Sequence, residues 1–476
     1  QAVTCDDFAQ CMADANPGTP LAQHLEIFKR WYSQSGTPEL EASGHYDAAA
    51  RTYTLTLKQS CPATPGQTEK QPFLIPVRMG LVGPDGRDMP LQLDGETGDQ
   101  PVTERVLVMT EAEQQWVFVN VPSQPVPSLL RQFSAPVWLD VTDADEASQL
   151  HLLAHDSDAF NRWEAAQTLM LEQATDAVDT DGEAPTNIFN DATLQALREV
   201  LRNPGLDAAF KTLVLSLPDE EEMADELEEN IDPQRIKTVS EALRQQVAHA
   251  LHDDWLAAYE ANHNTGAYQT DPVSVGRRAL ANLALENLCR VAHDTGDTVW
   301  PGKAYQRFKD ATNMTDRMGA LEALLAGHSP LAEQALQRFY QMFVHEPLVI
   351  DKWFELHAGR NDKDGGVLAH VRQLMQHKDY RLTNPNRVRA LLFSYFHGNP
   401  GAFHRKDAAG YVLWADQVLA LDAVNAQIAS DLARAMDHWK RLAEPYRSAA
   451  KEALGRVAAK PDLSADVREV VQRALA

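Results

Sequence analysis

Cysteine is scarce in this sequence: Cys5, Cys11, Cys61 and Cys289 are the only four in 476 residues. They form no CxxC pair and are too widely spaced for a disulfide framework, which fits a reducing compartment and hence a cytoplasmic protein. Cys5 and Cys11 stand on one predicted helix but on different faces. Long apolar runs are missing too. Nothing approaches the roughly 18–20 consecutive apolar residues of a transmembrane helix, so no membrane partner is expected. Gln1-Ala2-Val3-Thr4 has neither the basic region nor the apolar core of a signal peptide, and the absent initiator Met suits an internal start in a longer polypeptide. Basic charge is in deficit: 43 Lys and Arg stand against 68 Asp and Glu, a net charge of −25. That surplus keeps a surface soluble and argues against nucleic acid as a partner.

Motifs that carry chemistry are also lacking. A zinc peptidase needs two histidines one helical turn apart with a Glu between them, so that two ligands and a general base meet one metal. His345-Glu346-Pro347-Leu348-Val349 begins that pattern and fails at Val349, with Pro347 interrupting the helix. His151 and His155 have the ligand spacing, but Leu152 stands where the base belongs. His249 and His252 read as helix surface. Gly80, Gly83 and Gly86 are spaced roughly as in a dinucleotide loop, yet they lie at a hairpin turn and precede no helix. No Gly-x-Ser-x-Gly elbow and no P-loop occur. The sequence therefore offers no catalytic residue and no metal ligand of its own.

What is there is patterned for folding. Apolar residues make up 44% of the chain, enough for a real core, and the length suits about three domains of roughly 150 residues. Residues 1–36 read as two helices: Thr4 caps the first, with Asp6 and Asp7 in its first turn, and Pro20 opens the second, with Leu21, Leu25, Phe28 and Tyr32 on one face. Residues 37–142 change to a period of two. Tyr53, Leu55 and Leu57 alternate with polar neighbours, as do Ile75, Val77, Met79 and Leu81. Short strands separated by Pro/Gly turns predict an antiparallel β-sandwich of about seven strands. Residues 143–476 are helical throughout, with Pro218, Pro272, Pro301, Pro330, Pro347, Pro385 and Pro461 at or near helix boundaries. Asp219-Glu220-Glu221-Glu222 reads as a solvated first turn, where carboxylates complement the helix dipole. The fold class is thus α+β multidomain and mostly α, with a superhelical, solenoid-like helical part.

The best-marked helix spans 384–400. Asn384 caps it, Pro385 suits its first position, and Gly398-Asn399-Pro400 stops it. Val388, Leu391, Leu392, Tyr395 and Phe396 form one apolar face. Arg387 and Arg389 sit in the first turn, where the dipole disfavours cations, so their placement asks for a reason.

This segment resembles the C-terminal helical domain of the M1 zinc aminopeptidases of the bacterial aminopeptidase N type. So do Leu217-Pro218 running into Glu222-Met223-Ala224, Gly276-Arg277-Arg278-Ala279-Leu280-Ala281-Asn282, Ala311-Thr312-Asn313-Met314-Thr315-Asp316-Arg317 and, near the start, Phe28-Lys29-Arg30-Trp31-Tyr32-Ser33-Gln34-Ser35-Gly36-Thr37-Pro38. The resemblance runs in order along essentially the whole chain and implies the C-terminal half of such an enzyme. The HExxH and Gly-Ala-Met-Glu-Asn regions would lie upstream, together with the ligands of the zinc. The partners implied are the N-terminal and catalytic domains of the same polypeptide, and peptide substrates. The two helices of 1–36 would be the tail of the catalytic domain. The resemblance also implies that Arg389, and with it Arg387, faces the cavity above the catalytic centre and meets the carboxylate end of a bound peptide, for which a guanidinium fork is suited. Where some relatives carry a further cavity arginine, this sequence holds Asp431, with Arg434 nearby. Arg277 and Arg278 read as structural. The helical part alone would also permit a self-standing scaffold that binds protein partners on a concave face, against which stand the first 36 residues, which make sense as the end of something larger. An HExxH motif encoded upstream of Gln1 separates the two.

Overall fold

The computed structural model describes residues 3–97, 102–180, 182–183, 185–263 and 266–476. It divides into two compact units, Gln1–Leu169 and Met170–Ala476.

The first unit begins with the helix Cys5–Ala15, closed at its start by a reciprocal Thr4–Asp7 capping box. The second predicted helix is instead three single turns, Pro20–Gln23, Leu25–Phe28 and Arg30–Ser33. The breaks have a packing reason. Leu21, Ala22, Leu25 and Phe28 pack on Ala9 and Ala13, whereas Trp31 packs on the sandwich. Its ring lies 4.7 Å from that of Phe73, and its indole N–H donates to the Leu74 carbonyl at 2.9 Å. One straight helix would not serve both sides. Tyr32, counted on the same stripe, is exposed.

The sandwich strands are β1 (Glu39–Asp47), β2 (Thr52–Ser60), β3 (Ile75–Val82), β4 (Arg105–Met109), β5 (Glu113–Phe118), β6 (Val126–Ser128) and β7 (Trp138–Val141). They form two sheets, ordered β5-β2-β1-β7 and β4-β3-β6. Tyr53, Leu55, Leu57, Ile75, Val77, Met79 and Leu81 all face the shared core, as their alternation requires. One pairing departs from the antiparallel expectation: β7 runs parallel to β1, with Glu39 opposite Trp138. The chain crosses from β6 in the other sheet before β7 begins, and such a crossover permits a parallel partner where a tight hairpin would not.

Arg131 lies inside this unit, 1% exposed. Its two terminal nitrogens meet the Asp88 carboxylate at 2.9 and 2.8 Å, its Nε meets the Ser128 hydroxyl at 2.8 Å, and Asp156 is 3.4 Å away. A Cβ on Gly80 would sit 2.5 Å from this guanidinium. Gly83 accepts from the His151 ring at 2.8 Å through its carbonyl, and a Cβ on Gly86 would fall 2.5 Å from the His155 ring. Gly83 and Gly86, two of the three glycines spaced as in a dinucleotide loop, and the histidines spaced as a zinc pair are therefore two sides of one packed contact.

The second unit is helical. Its central helix, Pro272–Thr295, buries Leu280, Ala281, Ala284, Leu285, Leu288 and Cys289, and burial pushes the Cys289 thiol up to about 12. Pro233, Pro272, Pro347, Pro385 and Pro400 all open helices. The Asp219 cap and its Glu222 partner close the start of Glu220–Leu227. No helix among the described residues is long and apolar enough to cross a membrane.

The helix predicted over 384–400 keeps its cap and its buried face. Asn384 accepts from the Arg387 N–H, and Val388, Leu391, Leu392, Tyr395 and Phe396 are all buried. Its middle is not α-helical, however: Arg389–Phe393 is a π-helical turn between Pro385–Val388 and Ser394–Phe396.

Candidate functional site

Within the helical unit one helix start, the flanks of two longer helices and two loops line a half-open polar cavity of about 370 Å³. Glu220, Lys237, Glu241, Arg244, Arg290 and Asn361 line it. Three of these belong to one connected set, and Lys237 to a separate pair. Arg290 donates to Glu241 at 3.0 Å and to Glu286 at 3.2 Å, and the other Glu241 oxygen accepts from the Asn361 amide at 2.7 Å. Lys237 donates to the Asp362 carbonyl and lies 3.6 Å from the Asp362 carboxylate.

Glu220 corrects the reading of its acidic run. Asp219 and Glu222 cap the helix start, but Glu220 turns inward and accepts from the Gly401 N–H at 2.8 Å. Burial raises its pKa, offset in part by that N–H and by Arg244 and Lys237 nearby. Arg244 donates only to Ser240, at its hydroxyl and its carbonyl, and has no carboxylate within ion-pair distance among the described residues. Burial lowers its pKa, and Arg290 beside it acts in the same direction. A second cavity of about 210 Å³ adjoins, sharing Glu220, Glu221, His397 and Pro400 with the first.

The two arginines singled out by sequence part company. Arg387 is 4% exposed. Its Nε meets Asp351 at 2.6 Å, one terminal nitrogen meets the Asp379 carbonyl at 2.8 Å, the other the Pro347 carbonyl at 3.3 Å, and its guanidinium lies over the Phe354 ring at 4.7 Å. Each of its three nitrogens donates to an acceptor inside the fold, which commits three of its five N–H groups there. Arg389 is exposed, 3.5 Å from Asp431 and 5.7 Å from the centre of the Phe393 ring. Phe393 stacks in turn on His397, 5.1 Å away, which lines both cavities and feels the charge of Asp431. The Asp431 noted in the sequence is thus the partner of Arg389. Arg277 donates to the Ala261 carbonyl at 2.8 Å, and Arg278 lies over the Tyr268 ring at 4.5 Å.

No group of three or more His, Cys, Asp or Glu among the described residues is placed to hold a metal ion. His249 pairs with Asp294 at 2.8 Å. Sequence reasoning missed Glu220, Glu241, Arg244 and Arg290. The available signal was charge on an apolar stripe: Ser240 and Arg244 recur among Val239, Leu243 and Val247 on a face that is otherwise core.

Residues 36–142 match the family described as a domain of unknown function (DUF3458) with an Ig-like fold, and residues 146–476 match the one described as DUF3458_C ARM repeats. The chain belongs to this family. Aminopeptidase N of Escherichia coli (strain K12) is 37% identical over 475 residues, covering 100% of this chain and 52% of that protein. The aminopeptidase N proteins of Haemophilus influenzae and Caulobacter vibrioides are 34% and 36% identical, each again over 52% of its own length. The crystal structure of Legionella pneumophila aminopeptidase A in complex with aspartic acid superposes with a TM-score of 0.81 at 25% identity, covering 100% of this chain and 52% of that one. The chain therefore spans about half the length of the relatives it matches, and corresponds to their C-terminal half. It comprises the C-terminal domains of an aminopeptidase N-like protein.

Proposed function

We propose that these are the non-catalytic domains of a cytoplasmic M1 zinc aminopeptidase that removes N-terminal residues from peptides. The observation that carries this is 37% identity over 475 residues to a protein named aminopeptidase N. In this reading residues 1–36 are the tail of the catalytic domain, 37–142 brace it, and 143–476 enclose the active-site cavity and limit entry to small or unfolded peptides. Enclosure of that kind selects substrates by size. The zinc belongs to the upstream half. The pair with zinc-ligand spacing, His151 and His155, does not fit a zinc site, because it is packed against Gly83 and Gly86. Arg389 is the residue proposed to meet the distal end of a bound peptide, and its pairing with Asp431 leaves it exposed enough to do so. The test is metal analysis and alanyl-amide hydrolysis on the polypeptide with its upstream sequence, beside the 476-residue chain. One zinc per molecule with activity is expected of the former and neither of the latter. Activity in the shorter chain would overturn the reading.

A further inference from the structure

The polar cavity of the helical unit contains two charged groups that make no direct ion pair among the described residues, although each feels the other's charge. Lys237 and Arg290, two of its three cations, have carboxylate partners. Arg244 has none among the described residues, and its Nε and second terminal nitrogen have no protein acceptor there. Glu220 is bonded only to the Gly401 N–H, with no cation in ion-pair contact among the described residues. A Cβ on Gly401 would come within 2.9 Å of the Glu220 carboxylate, so the bare backbone at that point is what lets the carboxylate in. Charges drawn partly out of water without a direct partner are costly, and a ligand that pairs them removes the cost.

Their signs decide what kind of ligand. A simple anion would suit Arg244 but would also face Asp219, Glu220, Glu221, Glu241 and Asp362 around the same space. A simple cation would leave Arg244 unmatched. A molecule carrying one carboxylate and one ammonium satisfies both, and the guanidinium fork is the right shape for the carboxylate. A space of about 370 Å³ falls at the small end of ligand sites, suited to an amino acid or dipeptide. We propose that this cavity binds a small zwitterion, a free α-amino acid or a dipeptide, with its carboxylate on Arg244 and its ammonium on Glu220. This rests on the geometry of the helical unit and not on the aminopeptidase reading.

Calorimetry on the 476-residue chain tests it with L-alanine, L-alanyl-L-alanine, N-acetyl-L-alanine, L-alaninamide and inorganic phosphate. L-Alanine or the dipeptide should bind at least about tenfold more tightly than the two blocked analogues and phosphate. Arg244→Ala should abolish binding. Glu220→Gln should weaken L-alanine by about tenfold while leaving N-acetyl-L-alanine unchanged. Thermal melts establish that each variant is folded, and the analogue series on the unaltered chain decides the matter if one is not. Equal binding of L-alanine and N-acetyl-L-alanine, tighter binding of phosphate, or no heat at millimolar L-alanine and dipeptide would each overturn the proposal.

Discussion

Arg387 shows what a buried guanidinium does for this fold. It ties its own helix to two segments: the helix Pro347–Gly359, through Asp351 and the Pro347 carbonyl, and the loop after Val367–Leu374, through the Asp379 carbonyl. Removing it would strand the Asp351 carboxylate, which is itself 8% exposed. Arg387→Ala is therefore expected to cost about 3–5 kcal/mol of stability in chemical denaturation, the range for breaking a buried pair by deleting one partner. Arg389→Ala, two positions on and exposed beside Asp431, is expected to cost under about 1 kcal/mol. His357 gives a pH signature at the same scale. It is 3% exposed and its Nδ1 contacts the His370 ring at 2.6 Å. Burial, with the neighbouring His370, lowers its pKa to about 2. Unfolded, it takes a proton near the ordinary histidine value of about 6.5. Below that pH the unfolded state binds more protons than the folded one, so stability falls on acidification from about pH 6.5 toward pH 2. Glu220 and Glu322, whose pKa values burial raises, act in the opposite direction. Comparing wild type with His357→Gln isolates the histidine: wild type should lose about 1.5 kcal/mol more than the variant between pH 6.5 and 5.

At the scale of elements, β3 illustrates how a small residue can be fixed by a distant one. Gly80 faces the Arg131 guanidinium, and that guanidinium holds Asp88, Ser128 and Asp156 together. Gly80→Ala should push Arg131 off its carboxylates and destabilise the first unit by about 3 kcal/mol, again measurable by denaturation. The strand itself was legible from its alternation; the need for glycine within it was not, because Arg131 lies far along the chain. The same division recurs elsewhere. Caps and opening prolines are local chemistry, and Thr4, Asp219, Asn384 and the prolines at 272, 347 and 385 sit where their types require. Properties set by long-range packing escaped. The break of residues 20–33 into three turns depends on Trp31 reaching Phe73. The parallel β1–β7 pair depends on the path after β6. The π-helical turn at Arg389–Phe393 has no signature among its residues. Of the candidate site, sequence pointed to the segment that carries His397; Arg389, on the same segment, lines neither cavity. Sequence reasoning overlooked Glu220 and Arg244, because a Glu in a first turn and an Arg on a helix are ordinary until a fold turns them toward the same space.

For the whole molecule, enclosure and recognition predict different behaviour toward substrates of different length. If residues 143–476 only limited entry, an exposed side chain on their surface would affect all admitted substrates alike. If Arg389 also meets the far end of a peptide, it acts only on substrates long enough to reach it. A guanidinium–carboxylate contact of this kind contributes about 1.5–3 kcal/mol, roughly a ten- to hundredfold effect on kcat/KM. Its pairing with Asp431 at 3.5 Å reduces the gain, since that contact must be exchanged for the new one. Arg389→Ala in the full-length polypeptide should thus lower kcat/KM for tetra- or pentapeptides by about tenfold, mainly through KM, and leave a single-residue amide within about twofold. Asp431→Asn, which frees the guanidinium, should move the long peptides the other way. A peptide with an amidated C-terminus should be indifferent to both changes. Equal losses for the amide and the peptides would show that Arg389 shapes the fold of the cavity wall and recognises nothing in it.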